Sequence, residues 1–307
     1  MTRPKQHHYL PESYQYQFVD SDNRIHFLDK ISGRVQKTIP KSFGKEKDLY
    51  TLEKPPEGKQ PTYIENPTLS GVDGNYPELV KKLEGEDFSA LDKRNLARYL
   101  GYLRNRTPSY FKLIEQVSQE VSLKDIYQEV VLDDEKLKLY QNEALFDMSS
   151  EEAFVEQAIN HIGTDKDHIL NTFLRSSPEF AELIDCCDWD VMISRSIPFI
   201  SSDKAFAKAE DELFFVDQGR TIYKRYFLIP LSSSICLRLS GDNSRLSKRI
   251  VADEEILDVN ECISYCAERW IIGSSEEVLL NSHNASKALL AEEAVNDVIS
   301  MLTRDEV

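Results

Sequence analysis

The chain has 307 residues, is 41% hydrophobic, and carries 37 Lys/Arg against 53 Asp/Glu, for a formal net charge of −16. That is enough apolar material for one large core or two modest ones, and the composition excludes a disordered chain, a collagen and a disulfide scaffold. No apolar run approaches the roughly 18 residues of a spanning helix, and the polar start Met1 to Gln6 does not read as a secretory signal. The expectation is a soluble, cytoplasmic protein with no membrane contact.

Residues 12–52 read as a β meander. Tyr14, Tyr16 and Phe18 alternate with polar residues, Ser21-Asp22-Asn23 turns, Ile25-His26-Phe27-Leu28 forms a strand, and Ser32-Gly33 turns into Val35 to Ile39. The stretch 54–77 is rich in proline and glycine, and marks a long loop or connector after a unit spanning 1–53. Helices dominate 78–187. Ser89 with Asp92 has capping-box spacing, and Leu96, Tyr99, Leu100 and Leu103 form an apolar stripe on a helix that Pro108 ends or kinks. Ser149 with Glu152 predicts a second cap ahead of the stripe Phe154, Ala158, Ile159 and Ile162, and Ser177-Pro178 predicts a third helix start.

From 188 to 307 the pattern returns to strands closed by helices. Trp189 to Ile193, Pro198 to Ser201, Leu213 to Val216 and Tyr226 to Leu239 read as strands, with Pro230 at an edge or bulge. Glu255 to Trp270 and Asn284 to Leu302 read as amphipathic helices. The fold class is therefore α+β: an N-terminal β meander, a central helical region and a C-terminal mixed sheet with closing helices that shares one fold with 1–53.

Charge is uneven, since residues 1–60 hold 11 Lys/Arg against 8 Asp/Glu and the acidity lies in the remainder. An acidic body repels phosphate backbones at long range, so nucleic-acid contact needs a local basic patch. Lys37 to Lys47 and the set Lys224, Arg225, Arg238, Arg245, Lys248 and Arg249 are the two candidates, read first as solvated surface. The five cysteines form no framework. Cys262 and Cys266, four apart on a helix, lack the further ligands of a zinc site, and reduced thiols are the expectation.

Several polar residues fall where chemistry is possible. Arg106 extends the apolar stripe of Tyr99 and Leu103, and a guanidinium there needs a carboxylate, carbonyls or a bound anion. An internal ion pair and an anion-binding arginine both satisfy that demand. His161 follows Phe154 and Ala158 on an apolar face, as a satisfied core residue or as a base or metal ligand. His7 and His8 precede Tyr9-Leu10-Pro11, an apolar anchor that suggests a docked segment. Ser201, Ser202 and Asp203 end an apolar run. Their Ser-x-x-Lys spacing with Lys204 lacks the companion motifs of acyl-enzyme chemistry, and an aspartate at a strand end caps a turn or binds a metal.

In order along the chain, His8-Tyr9-Leu10-Pro11, Asp29 to Gly33, Arg106-Thr107-Pro108, Phe199-Ile200-Ser201-Ser202-Asp203, Pro230-Leu231-Ser232 and Asn260 resemble the pattern of a bacterial and phage family known as domain of unknown function 4238. Where that family usually has Asn-Pro after Ser-Asp, this chain has Lys204-Ala205. The resemblance implies no reaction, but it selects His8, Arg106 and Asp203 from the residues above as one set. The resulting expectation is a hydrolase-like enzyme acting on a phosphorylated or nucleic-acid substrate. Arg106 would hold the anion, His8 act as base or ligand, Asp203 orient His8 or bind a divalent metal, and Ser202 contact substrate, with His161 a further candidate. The alternative is a non-catalytic interaction or regulatory protein in bacteria–phage conflict, with a basic protein partner.

Overall fold

The computed structural model describes residues 6–117, 120–133, 147–162, 166–217, 220–241 and 243–304. Strand β1 (Gln6–His8) leads into a short helix, α1 (Glu12–Gln15), that continues as a 3-10 turn over Tyr16–Phe18. Strands β2 (Ile25–Asp29), β3 (Arg34–Thr38) and β4 (Lys45–Lys47) follow. A π-helical segment, Ile64–Leu69, runs into α2 (Ser70–Asp73), and α3 (Tyr76–Glu84) and α4 (Ala90–Asn105) begin the helical region. It continues with α5 (Pro108–Val117), α6 (Glu120–Val131), α7 (Glu151–Ile162) and α8 (Lys166–Cys186). Strands β5 (Asp188–Ile193), β6 (Ser201–Ser202), β7 (Ala207–Asp217), β8 (Arg220–Pro230), β9 (Ile235–Ser240) and β10 (Leu246–Ile250) come next. Helix α9 (Asp253–Cys266), β11 (Trp270–Gly273) and α10 (Glu276–Arg304) close the chain. The architecture is α+β.

Strands β10-β5-β9-β8-β7 form one sheet, antiparallel except for the parallel pair β10 and β5. An antiparallel sheet β3-β2-β11-β6 brings residues 25–38 beside 201–202 and 270–273, and β1 pairs with β4. Successive strand residues face opposite ways, and here both faces are covered. Val191, Ile193, Ile229, Leu237 and Ile272 pack with Leu79, Leu83, Leu96, Leu100 and Leu103 of α3 and α4. Their neighbours Met192, Leu228, Cys236 and Ile271 pack instead with Ile256, Val259 and Ile263 of α9 and Leu279 of α10. Strands buried on both faces separate two helical layers. No helix among the described residues is long and apolar enough to cross a membrane.

The strand expected over Tyr14 to Phe18 is helical instead. Tyr14 and Phe18 are fully buried while Tyr16 is 48% exposed, which is the spacing of one helical face rather than of a strand. The cap on α7 is Ser150, whose Oγ accepts the Ala153 N–H, one residue beyond the expected Ser149. Pro178 starts no helix but lies within α8, which α4 holds in place by close approach. Pro230 ends the interior strand β8, and Trp270 opens β11 rather than ending a helix.

The hairpin turn at Gly33, the Ser89–Asp92 capping box and the stripe on α4 form as expected. Gly101 is where α4 and α8 touch: a Cβ there would lie 2.4 Å from Ser177 O and 3.0 Å from Ala181 Cβ. The obstacle is backbone, which cannot rotate away. Gly101→Ala is therefore expected to lower the unfolding free energy by about 1–3 kcal/mol, read from urea denaturation. An unchanged midpoint would contradict so close a contact.

Candidate functional site

The N-terminal segment docks by backbone pairing and by a glycine. The Tyr9 and Leu10 N–H groups both donate to Gly44 O, at 2.8 and 3.1 Å. Gly44 has φ +65°, and a Cβ there would come within 2.9 Å of Leu10 Cβ, so only glycine fits. His7 is buried, stacks on Tyr50 at 5.6 Å, and its Nδ1 accepts the Tyr50 N–H at 2.9 Å. His8 Nε2 lies 3.2 Å from Lys41 O and 3.8 Å from Glu12 Oε1. Burial lowers the His8 pKa below the ordinary imidazole value, and Glu12 opposes the shift.

Arg106, the cap residue at the end of α4, is 1% exposed. Its Nη1 donates to Asp73 Oδ1 and Oδ2 at 2.8 and 3.0 Å, and its Nη2 donates to His8 O at 2.8 Å. The Tyr50 hydroxyl donates to Arg106 O at 2.9 Å, with the Tyr50 ring 5.7 Å from the guanidinium. Burial alone would lower the Arg106 pKa, but Asp73 and Tyr50 reverse this and hold it above the ordinary value. The internal ion pair is thus the arrangement this arginine adopts. Glu65, nearby, is pushed up by burial, against the pull of Arg106.

Asp203 accepts three backbone N–H groups, Glu268 at 3.0 Å, Arg269 at 2.8 Å and Trp270 at 3.0 Å. It holds the turn that enters β11. Burial raises its pKa, and the three amides pull it back. Ser202 is buried, and its Oγ accepts the Lys204 N–H at 3.3 Å. Ser201 Oγ lies 2.6 Å from the Tyr14 hydroxyl, which also donates to Pro230 O at 2.7 Å. Asn260 bridges the Ile200 N–H and Pro198 O, both at 3.0 Å. His161 belongs to α7, but its side chain lies outside the described residues.

The structure thus joins His8 and Arg106 directly, through the His8 carbonyl rather than the imidazole. Asp203 stands near the adjacent Tyr9, whose phenol burial raises first and the Asp203 charge raises further. Ala205 follows with φ +57°, a conformation closed to proline, whose ring locks φ near −65°. The turn carrying Lys204 therefore depends on Lys204-Ala205 standing where proline is usual.

Beside these contacts lies a groove of about 390 Å³. One wall is the end of α4 and the start of α5, with Arg104, Thr107, Ser109 and Tyr110; the other carries Lys204, Phe206, Lys208 and Phe227. Every charged residue of this lining is a cation. The Arg104 guanidinium sits 4.2 Å from the Phe180 ring centroid, and Phe180, Phe206 and Phe227 follow one another at 6.3 and 6.4 Å. Burial lowers the Arg104 pKa. Among the described residues no carboxylate pairs with Arg104 or Lys204. The patches marked by the sequence are in part neutralised instead: Lys37 lies 2.6 Å from Asp20, and Arg249 lies 2.9 Å from Asp190.

Arg104, Tyr110, Phe206 and Lys208 were missed as functional candidates. The cation–aromatic–cation run Lys204-x-Phe206-x-Lys208 marks the second wall in the sequence, at the turn that enters β7, whereas Arg104 and Tyr110 carry no local signal. Among the described residues no three His, Cys, Asp or Glu side chains gather to hold a metal ion.

The Arg106–Asp73 pair is open to a direct test. Asp73→Asn leaves a buried guanidinium without its counter-charge and is expected to cost about 3 kcal/mol, the lower end for a broken buried pair, because Asp73 remains 23% exposed. Guanidinium chloride titration reads the loss; a change below about 0.5 kcal/mol, the size of an ordinary surface substitution, would contradict a structural pair.

A comparison with curated proteins and one with solved structures return no match. A family profile described as protein of unknown function, DUF4238, matches residues 6–277. That span takes in the docked N-terminal segment, the Arg106 pair, the Asp203 turn and both walls of the groove, and the chain belongs to the DUF4238 family.

Proposed function

We propose that the chain binds a small phosphorylated ligand of the nucleotide class in the groove between Arg104 and Lys204. The observation that carries this is a lining whose charges are all positive, in a chain of net charge −16. Arg104 and Lys204 supply charge-assisted donors, and Thr107 and Ser109 supply hydroxyls beside them. Tyr110, Phe206 and Phe227 supply aromatic surface for a base. The acidic body disfavours a long polyanion, whose distant phosphates it would repel, so the charge pattern favours a ligand confined to the groove. A volume of about 390 Å³ suits a ligand of that size.

In this reading His8, Arg106, Ser202 and Asp203 position the groove walls. A hydrolytic reading, in which these residues with His161 act on the bound phosphate, requires Arg106 to leave Asp73. Binding without turnover is therefore the favoured form. Turnover across a panel of divalent metals, lost in His8→Ala, would reinstate hydrolysis.

Calorimetric titration with nucleoside mono-, di- and triphosphates and short oligonucleotides tests the proposal. Saturable binding of the mononucleotides is expected, weakening with salt. Removing one charge-assisted contact is worth about 1.5–3 kcal/mol, so Lys204→Glu and Arg104→Glu should each weaken binding at least tenfold. No binding by the native protein, or affinity in both variants equal to that of the native protein, would overturn it.

A further inference from the structure

Cys262 and Cys266 lie one turn apart on α9, with Sγ atoms 4.0 and 3.4 Å from the same acceptor, Lys208 O. Two thiol protons compete for one carbonyl. The Cys262 thiol one turn away is the chief cause that lowers the Cys266 pKa to about 6. Burial opposes the shift, while the Lys204 and Lys30 ammonium groups assist it. The same pairing, with burial and Glu261 adding to it, raises Cys262. The chain's other thiols lack this arrangement. Cys236 is sealed in the core and raised by burial, Cys186 is exposed, and Cys187 Sγ donates to Leu183 O at 3.2 Å.

We propose that Cys262 and Cys266 form a redox-active dithiol that reduces a hydroperoxide and closes to an intramolecular disulfide. The Cys266 thiolate attacks the terminal peroxide oxygen and the O–O bond breaks. The leaving alkoxide or hydroxide takes the Cys262 proton and departs as alcohol or water, leaving Cys266 as a sulfenic acid. The Cys262 thiolate then attacks the Cys266 sulfur, the S–O bond breaks, and hydroxide leaves as the disulfide forms, taking a proton from solvent to become water. Two thiols supply the two electrons that the peroxide accepts.

The helix permits closure at one place. Residues four apart have Cα atoms roughly 6 Å apart, within the roughly 4.4–6.8 Å a disulfide spans. Their Cβ atoms, at about 5–6 Å, must draw closer. Cys266 is the last residue of α9 and Ala267 is already extended, so the movement falls on a terminal turn that has no further helix to disrupt. Lys30 Nζ holds that turn through Ser264 O at 2.6 Å, Tyr265 O at 3.1 Å and Ala267 O at 2.7 Å. Closure therefore pulls on the Lys30 contacts and on Lys208 at the groove, although the chemistry does not depend on the groove's ligand.

A brief pulse of hydrogen peroxide at pH 7, followed by alkylation and peptide mass mapping, tests this on the native protein. Both cysteines fall in one tryptic peptide, residues 250–269. That peptide is expected to lose two hydrogens and resist alkylation, ~10-fold faster than Cys186 is oxidised. Cys262→Ser should stop at a Cys266 sulfenic acid that dimedone captures, and Cys266→Ser should leave Cys262 alkylatable. If the native protein keeps Cys262 and Cys266 free while Cys186 oxidises, or if Cys262 oxidises as fast in Cys266→Ser, the dithiol is refuted.

Discussion

A guanidinium with 1% exposure at the end of α4 is the constraint on which the arrangement turns. Removing Arg106 from water costs several kcal/mol, roughly, and only a full set of acceptors offsets it. Those acceptors come from distant parts of the chain: the Asp73 carboxylate, at the end of α2, and the carbonyl of His8 in β1. The Tyr50 hydroxyl closes the set, accepting from Arg106 Nε at 3.5 Å while it donates to the Arg106 carbonyl at 2.9 Å. Satisfying one charge thus pins the N-terminal segment, the connector and the helical region together. Because Arg106 is the cap of α4, it also sets the direction in which Thr107 and Pro108 leave toward α5. Arg104 and Tyr110 stand on either side of that bend and are aimed by it.

The facing wall has its own anchor. Three backbone N–H groups on Asp203 hold residues 268–270 against the turn that presents Lys204. Tyr14 ties Ser201 and Pro230 to α1, and Asn260 ties residues 198–200 to α9, each through paired hydrogen bonds. The motifs that carry the family resemblance therefore act as staples between elements. They surround the groove without supplying its charges, and the cations that do so come from neighbouring positions.

The sequence showed the fold where one local rule decided the outcome. The Ser89–Asp92 box and the α4 stripe need only capping and a helical period, and the Gly33 hairpin needs only a turn residue. It misled where two periods fitted the same residues. Tyr14, Tyr16 and Phe18 suit a strand by alternation, and burial of Tyr14 with Phe18 selects the helix. Ser177-Pro178 suits a helix start because proline fits the first helical position, yet tertiary packing at Gly101 carries α8 through it. At the site, the need of Arg106 for a partner was legible, but not the identity of Asp73, which only the folded connector brings near. The groove stayed hidden because its walls lie about 100 residues apart along the chain, roughly from residue 104 to 204, a separation that helical or strand periodicity does not bridge.

The central claim is that two walls, each fixed by a buried charge, present cations to one anionic ligand. Amide hydrogen exchange with and without a saturating nucleoside triphosphate tests it most directly. The account predicts slower exchange at residues 104–113 and 204–208 together, with the remainder of the molecule little changed. Protection confined to one wall, or centred on His8 and Glu12 instead, would contradict it.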